Sequence, residues 1–296
     1  MKKLISIVIP VYNEEEVIVE LSKRLNNAIN RILKYNFEII MVENGSIDDS
    51  FDLLVNERKK NKKIKIIQIV KNVGTDGALI AGLSYAKGDA ALVMMADLQE
   101  DPKLIPVFID KWEKGYEIVY GIVKNRKKLG TVRKLETFFY YKFIKLTTNN
   151  LVIENASDFR LMDKNVYKLV SSLPEHDKFF RGLVNWTGFK QIGIEFDRSP
   201  RFAGESKAYF TTVLKVALNG IFSFTSILNY IPLLFSFISF LLFTILIFLH
   251  ELFTAIETLL FSFVFLVLAI ILEFLRRILT ETRNRPQFII REKIGF

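Results

Sequence analysis

The stretch "ALVMMADLQEDP", Ala91 to Pro102, runs from an apolar segment straight into Asp97, Glu100 and Asp101, with the amide of Gln99 among them. Two kinds of chemistry suit acids that follow a buried strand. They can cap the next helix, because a side-chain oxygen at the cap accepts a hydrogen bond from an unsatisfied backbone N–H. They can also hold a divalent cation and a charged substrate, because hard cations take carboxylate, amide and phosphate oxygens. Asp101 followed by Pro102 reads as a cap and first helical position, with a helix running on to Lys114 before Gly115. That accounts for Asp101. It leaves Asp97 and Gln99 between strand end and cap, where side chains project into a cleft, and gives Glu100 no role. Two further polar clusters have a similar make-up: Tyr12-Asn13-Glu14 and Glu43-Asn44-Gly45-Ser46. Taken singly, Asn, Asp and Ser at a strand end are ordinary capping and turn residues.

The elements that must position these clusters can be read from periodicity. Short β-branched runs, "LISIVIP", "FEIIMVE", "IKIIQIV", "AALVMMAD" and "EIVYGIV", lie between Leu4 and Val123. Segments of helical periodicity, such as Glu15 to Tyr35 and Thr75 to Ala86, separate them. Strands apolar on both faces that alternate with helices predict a mainly parallel sheet in an α/β domain. Ligands of such sheets bind outside the carboxyl ends of the strands, which puts all three clusters on one rim. No Gly-x-Gly-x-x-Gly follows the first strand and no P-loop signature occurs, which argues against those dinucleotide and ATP sites. Acids and amides on three strand ends suit ribose hydroxyls, a base edge and a metal-bound diphosphate.

Composition narrows the cofactor. The absence of cysteine excludes a disulfide scaffold and thiolate metal sites. The two histidines, His176 and His250, lie far apart, which argues against zinc and leaves oxygen-bound Mg²⁺ or Mn²⁺. The net charge of +9 suits nucleic acid, an anionic membrane face or phosphorylated substrates. The apolar C-terminal region selects the last two and sets nucleic acid aside.

No Lys, Arg, Asp or Glu occurs from Val216 to His250. Ser226 to Leu249 and Phe253 to Leu275 are each long enough for a hydrocarbon core of about 30 Å, which needs roughly 20 residues. Arg276, Arg277, Arg283, Arg285, Arg291 and Lys293 follow them, so the positive-inside rule places both ends of the hairpin in the cytoplasm. The basic start breaks into polar residues at Pro10, so no signal peptide is expected. The expected organisation is a cytoplasmic domain over 1–206, a segment 207–225, two transmembrane helices over 226–275 and a basic cytoplasmic tail over 276–296. Segment 207–225 suits a helix on the membrane surface and equally a packed helix of the soluble domain. The expected location is the cell (inner) membrane, multi-pass, with both termini cytoplasmic. A lone hairpin anchor is compatible with a homo-oligomer. A transporter reading rests on the hairpin alone, and a hairpin without an intramembrane charge pair is poor transport machinery.

The segments "SIVIPVYNEEE", "VENGSIDDS", "KNVGTDGALIAGLSYAKGDA" and "MADLQEDP", in this order, resemble the family-two inverting glycosyltransferases with the GT-A fold. "DFRLMDKNVY", "FFRGLVNWTGF", "RSPRFAGESK" and "RPQFIIREKIGF" resemble the polyprenyl-phosphate glycosyltransferase branch, which includes dolichyl-phosphate mannose synthase and the bacterial GtrB- and ArnC-like enzymes. The resemblance implies a Rossmann-like GT-A catalytic domain that transfers a sugar from a nucleotide-sugar donor to a polyprenyl phosphate, undecaprenyl or dolichyl. It implies donor contacts from Pro10, Tyr12, Asn13, Glu14, Glu43, Asn44 and Asp76. It implies catalytic roles for Asp97 and Asp158, and Mg²⁺ or Mn²⁺ on Asp97 and Gln99. Acceptor-phosphate contacts fall on Arg126, Arg133, Thr137, Arg201, Ser206 and Lys207, with Arg133 and Thr137 on one face of a helix.

The chain departs from the pattern twice. The family's Asp-Ala-Asp-x-Gln falls on Met95 to Gln99, so Met95 stands where an acid is expected. Its Asp-Asp-Gly-Ser falls on Glu43 to Ser46, where Asn44 replaces an acid. Both departures lower the local negative charge, and both suit a competing reading of the chain as a non-catalytic scaffold that binds nucleotide-sugar or lipid. Mg²⁺ needs only one or two carboxylates when substrate phosphates complete its shell, so Asp97 with Gln99 suffices. Asp158 fits a base, a group that orients the sugar and Arg160, or a buried acid–arginine pair holding a loop. His176 fits a structural role.

Overall fold

The structure, a computed structural model, describes residues 2–124, 153, 155–175, 179–200, 202, 253–283 and 285–296. In chain order it contains β1 (Leu4–Val11), α1 (Ile18–Ile29), β2 (Asn36–Glu43), α2 (Ser50–Lys60), β3 (Ile64–Ile69), α3 (Gly74–Tyr85) and β4 (Ala90–Val93). A 3₁₀ turn (Pro102–Leu104) leads into α4 (Ile105–Glu113), followed by β5 (Ile118–Val123), β6 (Ala156–Asp163), α5 (Lys164–Ser172), α6 (Phe180–Trp186) and β7 (Gln191–Phe196). The last elements are α7 (Phe253–Arg283) and β8 (Ile290–Ile294).

The strands form one sheet in the order β7-β5-β6-β4-β1-β2-β3-β8. All five strands expected from the β-branched runs are present, and β4, β1, β2 and β3 are mutually parallel. Strand β6 enters antiparallel between β4 and β5, and β8 is antiparallel to β3, so the sheet is mixed. Central β1 is apolar on both faces for a structural reason. Ile5, Ile7, Ile9 and Val11 join a core with Leu21 and Leu25 of α1 and Phe108 of α4. Val8 turns the other way, into a core with Ala78, Leu79 and Leu83 of α3. Helix α1 is amphipathic, burying Ile18, Leu21, Ser22, Leu25, Ala28 and Ile29 at helical spacing. Helix α3 is buried along most of its length and sits close to the sheet. A Cβ at Gly82 would lie 2.3 Å from a methyl of Val8, so glycine is needed for this approach.

The C-terminal segment adds an element that its composition conceals. Ile290 and Ile294 flank the charged run Arg291-Glu292-Lys293, and the segment pairs with β3. This covers an edge whose backbone groups would otherwise be open to a second chain. The Phe296 ring meets Tyr85 edge-on at 5.7 Å, and the ammonium of Lys293 lies 4.7 Å from the centre of the Tyr85 ring. The segment expected to be a basic tail therefore ends as part of the same sheet as β1.

Among the described residues, no helix is long and apolar enough to cross a membrane. The first expected span, Ser226 to Leu249, lies outside the described residues together with all of segment 207–225. The second, Phe253 to Leu275, falls within α7, which exposes Val264, Leu266, Leu268, Ile271, Leu272, Leu275, Ile278 and Leu279. The α/β expectation holds, and the transmembrane hairpin is not shown by the described residues.

Candidate active site

Strands β4, β1 and β2 are neighbours and parallel, so their carboxyl ends share one edge, and the three polar clusters gather there as expected. Pro10 lies in β1 opposite Val42, half-buried, and Tyr12, Asn13 and Glu14 follow, also half-buried. Asn13 has a left-handed backbone (φ 51°), and its N–H donates to Ser46 Oγ at 3.1 Å. Its side-chain oxygen accepts from the Ile47 N–H at 2.9 Å, and the Glu14 N–H donates to Ser50 Oγ at 2.8 Å. Glu43 is buried, and its carboxylate accepts from the Ser46 N–H. These bonds stitch the end of β1 to the end of β2.

Asn44 extends the stitching to the loop before α3. Its side-chain nitrogen donates to Asn72 Oδ1 at 3.1 Å and to the Gly74 carbonyl at 3.2 Å, while its oxygen accepts from the Val73 N–H at 3.1 Å. A carboxylate has no donor to offer the first two acceptors. Asn44 in place of the family's acid is therefore a brace whose chemistry requires an amide. Beside it, Gly45 has φ +73°, and a Cβ there would lie 2.8 Å from the Asn72 backbone nitrogen, so the two loops meet only through glycine. Asn44→Asp is expected to lower stability by about 2 kcal/mol, since it buries a carboxylate against two acceptors. Thermal unfolding of the purified variant measures this, and an unchanged midpoint would refute the brace.

The turn after β4 is held from within and from above. Leu98 takes a left-handed backbone (φ 57°), Asp97 Oδ1 accepts from the Gln99 N–H at 3.2 Å, and Glu100 Oε2 accepts from the Met95 N–H at 3.2 Å. Asp101 Oδ1 accepts from the Lys103 N–H at 2.9 Å, with Pro102 opening the helical turn, as a cap should. From above, the chain following β7 lies across the turn. The Ser199 N–H donates to the Gln99 carbonyl at 3.1 Å, Gln99 Nε2 to the Ser199 carbonyl at 3.3 Å, and the Phe202 N–H to the Asp97 carbonyl at 3.4 Å. Asp97 and Glu100 are consequently 6% and 1% exposed.

Strand β6 supplies the third wall. Asp158 and Arg160, two apart, face the same side of the sheet. The partner of Asp158 is not Arg160 but Arg181 of α6, whose Nε and Nη2 donate to Oδ1 and Oδ2, both at 2.5 Å. Burial favours the neutral acid, but the charge and bidentate bonds of Arg181 prevail and hold Asp158 below the usual carboxylate range. Arg160 is 1% exposed; Nη2 donates to the Ser157 carbonyl at 3.0 Å, and its guanidinium lies 5.5 Å from the centre of the Phe180 ring. Burial draws its pKa down to about 10, although Asp158 and Asp76 oppose this. Asp76, in the first turn of α3, accepts from the Phe180 N–H; burial, then the charge of Asp158, push its pKa up to about 7. Burial likewise pushes Glu100 up to about 7 against the bond from Met95.

A cavity of about 300 Å³ opens among these walls, lined by Gln99, Glu100, Asp158, Arg181, Arg198 and Ser199 among others. The structure thus brings Asp76, Asp97, Gln99 and Asp158 into one neighbourhood next to the braced Glu43–Asn44 turn. Arg126, Arg133, Thr137, Arg201, Ser206, Lys207 and His176 lie outside the described residues. Sequence reasoning missed Arg181, Arg198 and Glu100 as cavity residues. Arg181 and Arg198 lie in the quoted segments "FFRGLVNWTGF" and "RSPRFAGESK", but no spacing rule ties them to Asp158 or Gln99. Among the described residues, no three His, Cys, Asp or Glu gather into a cation cage. The Asp97 carboxylate and the Gln99 amide, two residues apart on this turn, each carry an oxygen donor, a chemistry that suits a hard cation completing its shell with phosphate and water.

The sequence pattern of glycosyl transferase family 2 matches residues 6–170. An uncharacterized glycosyltransferase of Bacillus subtilis, YkcC, is 36% identical over 305 aligned residues, which cover 98% of this chain and 94% of its own. An uncharacterized glycosyltransferase of Synechocystis is 40% identical over 75% of this chain and 69% of its own. The bactoprenol glucosyl transferase of Shigella phage SfV is 32% identical over 80% of this chain and 78% of its own. In structure, the chain is similar to the glucosyl-3-phosphoglycerate synthase of Mycobacterium tuberculosis in its complex with Mg²⁺ and uridine diphosphate. The TM-score is 0.53 at 16% identity, over 73% of this chain and 78% of the other, a likeness of fold. With more than half of its 296 residues matched by the family and a relative aligned along almost its whole length, this chain belongs to glycosyl transferase family 2.

Proposed function

We propose that this glycosyltransferase moves a sugar, with inversion, from a nucleotide-diphosphate sugar to the phosphate of a membrane polyprenol on the cytoplasmic face of the cell membrane. The observation that carries the reading is the single rim. The stitched loops after β1 and β2 and the acid–amide turn Asp97–Gln99 share the carboxyl edge of three neighbouring parallel strands, and Gln99 in turn lines a cavity with an anchored guanidinium, Arg181. The relative named bactoprenol glucosyl transferase supports the choice of acceptor.

Pro10, Tyr12, Asn13, Glu14, Glu43 and Asn44 frame the nucleotide side of the rim, and Asp76 closes it towards the sugar. An oxygen of the acceptor phosphate forms a bond to the anomeric carbon as that carbon's bond to the β-phosphate oxygen breaks, releasing nucleoside diphosphate. A phosphate monoester, with a second pKa of about 6, is largely ionised at neutral pH and needs no general base to attack. The protein's work is alignment and charge. Asp158, kept ionised by Arg181, fits as an acceptor for a sugar hydroxyl, and Arg181 and Arg198 present N–H donors to phosphate oxygens. Asp97 and Gln99 would hold Mg²⁺ or Mn²⁺, which when bound offsets charge on the departing diphosphate. Arg126, Arg133, Thr137, Arg201, Ser206 and Lys207 are the proposed acceptor-phosphate contacts.

The chain's path supports a membrane hairpin. The catalytic sheet includes both β1 and β8, so the N-terminal domain and the end of the tail lie on the same side of any bilayer, which calls for an even number of crossings. A hairpin within 226–275, entered through the segment 207–225, would satisfy that, and α7 carries a long row of exposed apolar side chains. The scaffold reading loses one of its two supports, because Asn44 has a bracing role that only an amide can fill.

The test is direct. Full-length protein in detergent, given undecaprenyl phosphate and a panel of radiolabelled uridine- and guanosine-diphosphate sugars, is expected to form a solvent-extractable lipid-linked product with one donor. Folded, nucleotide-binding protein that makes none with any donor overturns the reading.

A further inference from the structure

Resting on the proposed transferase reading, we propose that Glu100 supplies the second carboxylate of the cation site, in place of the acid that residue 95 does not provide. Ala91, Val93 and Met95 fall on one face of β4 and its continuation, and the Met95 side chain packs against the core shared with α3. Glu100, at the far end of the turn, folds back on its start, and its Oε2 lies 3.2 Å from the backbone nitrogen of Met95 itself. A longer side chain five residues on thus returns a carboxylate to the start of the pattern.

Three further observations agree. Glu100 is 1% exposed, yet it lines the cavity that Gln99, Asp158 and Arg198 share, so it is buried by protein and still faces the ligand space. The bond to Met95 N–H would be met equally by glutamine, so closing the turn does not by itself require a negative charge at this position. Lastly, Asp101, the adjacent acid, is committed to its cap at Lys103, and this separates the pair of neighbouring acids by role. Asp97 and Glu100 with the Gln99 amide then give two carboxylates and a neutral oxygen, with room for diphosphate oxygens and water, a donor set suited to Mg²⁺ or Mn²⁺.

The experiment reads Mn²⁺ directly, by the loss of its free electron paramagnetic resonance signal, in full-length protein with Mn²⁺ alone and with Mn²⁺ plus uridine or guanosine diphosphate. Glu100→Gln is expected to weaken Mn²⁺ binding at least about tenfold, which corresponds to about 1.4 kcal/mol. The double variant Met95→Asp/Glu100→Gln, which moves the carboxylate back to the family's position, is expected to recover most of that loss. Met95→Asp alone is expected to bind Mn²⁺ more tightly than the parent, and this arm stands even if Glu100→Gln fails to fold. Unchanged Mn²⁺ affinity in Glu100→Gln, no recovery in the double variant at matched thermal stability, or parent protein that transfers sugar fully in excess chelator each overturns the proposal. The last of these leaves the transferase reading intact. Binding of Mn²⁺ through Glu100 with no lipid-linked product from any donor has the opposite meaning and sinks only the transferase reading.

Discussion

Asp97→Asn is expected to lower sugar transfer by roughly a hundredfold to a thousandfold, the loss typical when a group acting on developing charge is removed. The fold should survive, because the described bonds at Asp97 that fix the turn are also open to asparagine. Its Oδ1 accepts from the Gln99 N–H, a bond that an asparagine oxygen also makes, and its carbonyl holds the Phe202 N–H from above. What asparagine cannot supply is a full negative charge for a cation. The control lies four residues away. Asp101→Ala deletes the bond to the Lys103 N–H at the start of the turn into α4 and is expected to cost about 1 kcal/mol of stability with little loss of turnover. Steady-state rates over a range of Mn²⁺ concentrations, alongside thermal midpoints, separate the two outcomes. Equal losses of turnover in both variants at matched stability would show that the turn acts only as a structural unit.

The Asp101 cap and the shared rim were largely readable in advance, because each rests on a local rule. An Asp-Pro pair before a helical pattern marks a cap. Apolar runs on both faces of successive strands mark a parallel block, and the carboxyl-end rule then places Tyr12, Glu43 and Asp97 together. What local rules could not reach were contacts made through a third element. Arg160 lies two residues from Asp158 and shares its face of β6, which made it the natural partner in the sequence. The true partner, Arg181, arrives on α6, whose position depends on how α3 and β6 pack. Glu100 and Asn44 were opaque for a different reason: much of what they bind is main chain, at Met95 N and at Val73 N and the Gly74 carbonyl, and main-chain groups leave no mark in residue identity. Strand β8 was hidden because an edge strand needs few apolar residues, and its charged middle reads as tail.

The Asp158–Arg181 pair carries the second large expectation, and its two roles can be told apart. If Asp158 serves only to anchor the guanidinium, Asp158→Asn, Arg181→Gln and the double variant should all lose a similar factor, because once one partner is gone the other has nothing left to hold. We expect more than this. Asp158 lines the cavity and is held ionised, so Asp158→Asn should lose roughly a hundredfold in transfer, with the double variant worse than either single one. Three equal losses would reduce Asp158 to an anchor. Stability provides an independent check with a definite sign. The carboxyl is held below its ordinary value of 3.8, so its contribution is fully present above pH 4 and fades as the pH falls through the depressed folded value. A pair with both groups buried would cost about 3 kcal/mol to break, but the Arg181 side chain is 43% exposed and partly screened by water, so about 1–2 kcal/mol is expected for Arg181→Gln at pH 7. The gap in thermal midpoint between parent and variant should therefore be widest near neutrality and close in acid. A gap that is constant with pH would mean that Arg181 stabilises the fold by packing alone, and that charge in the cavity is set elsewhere.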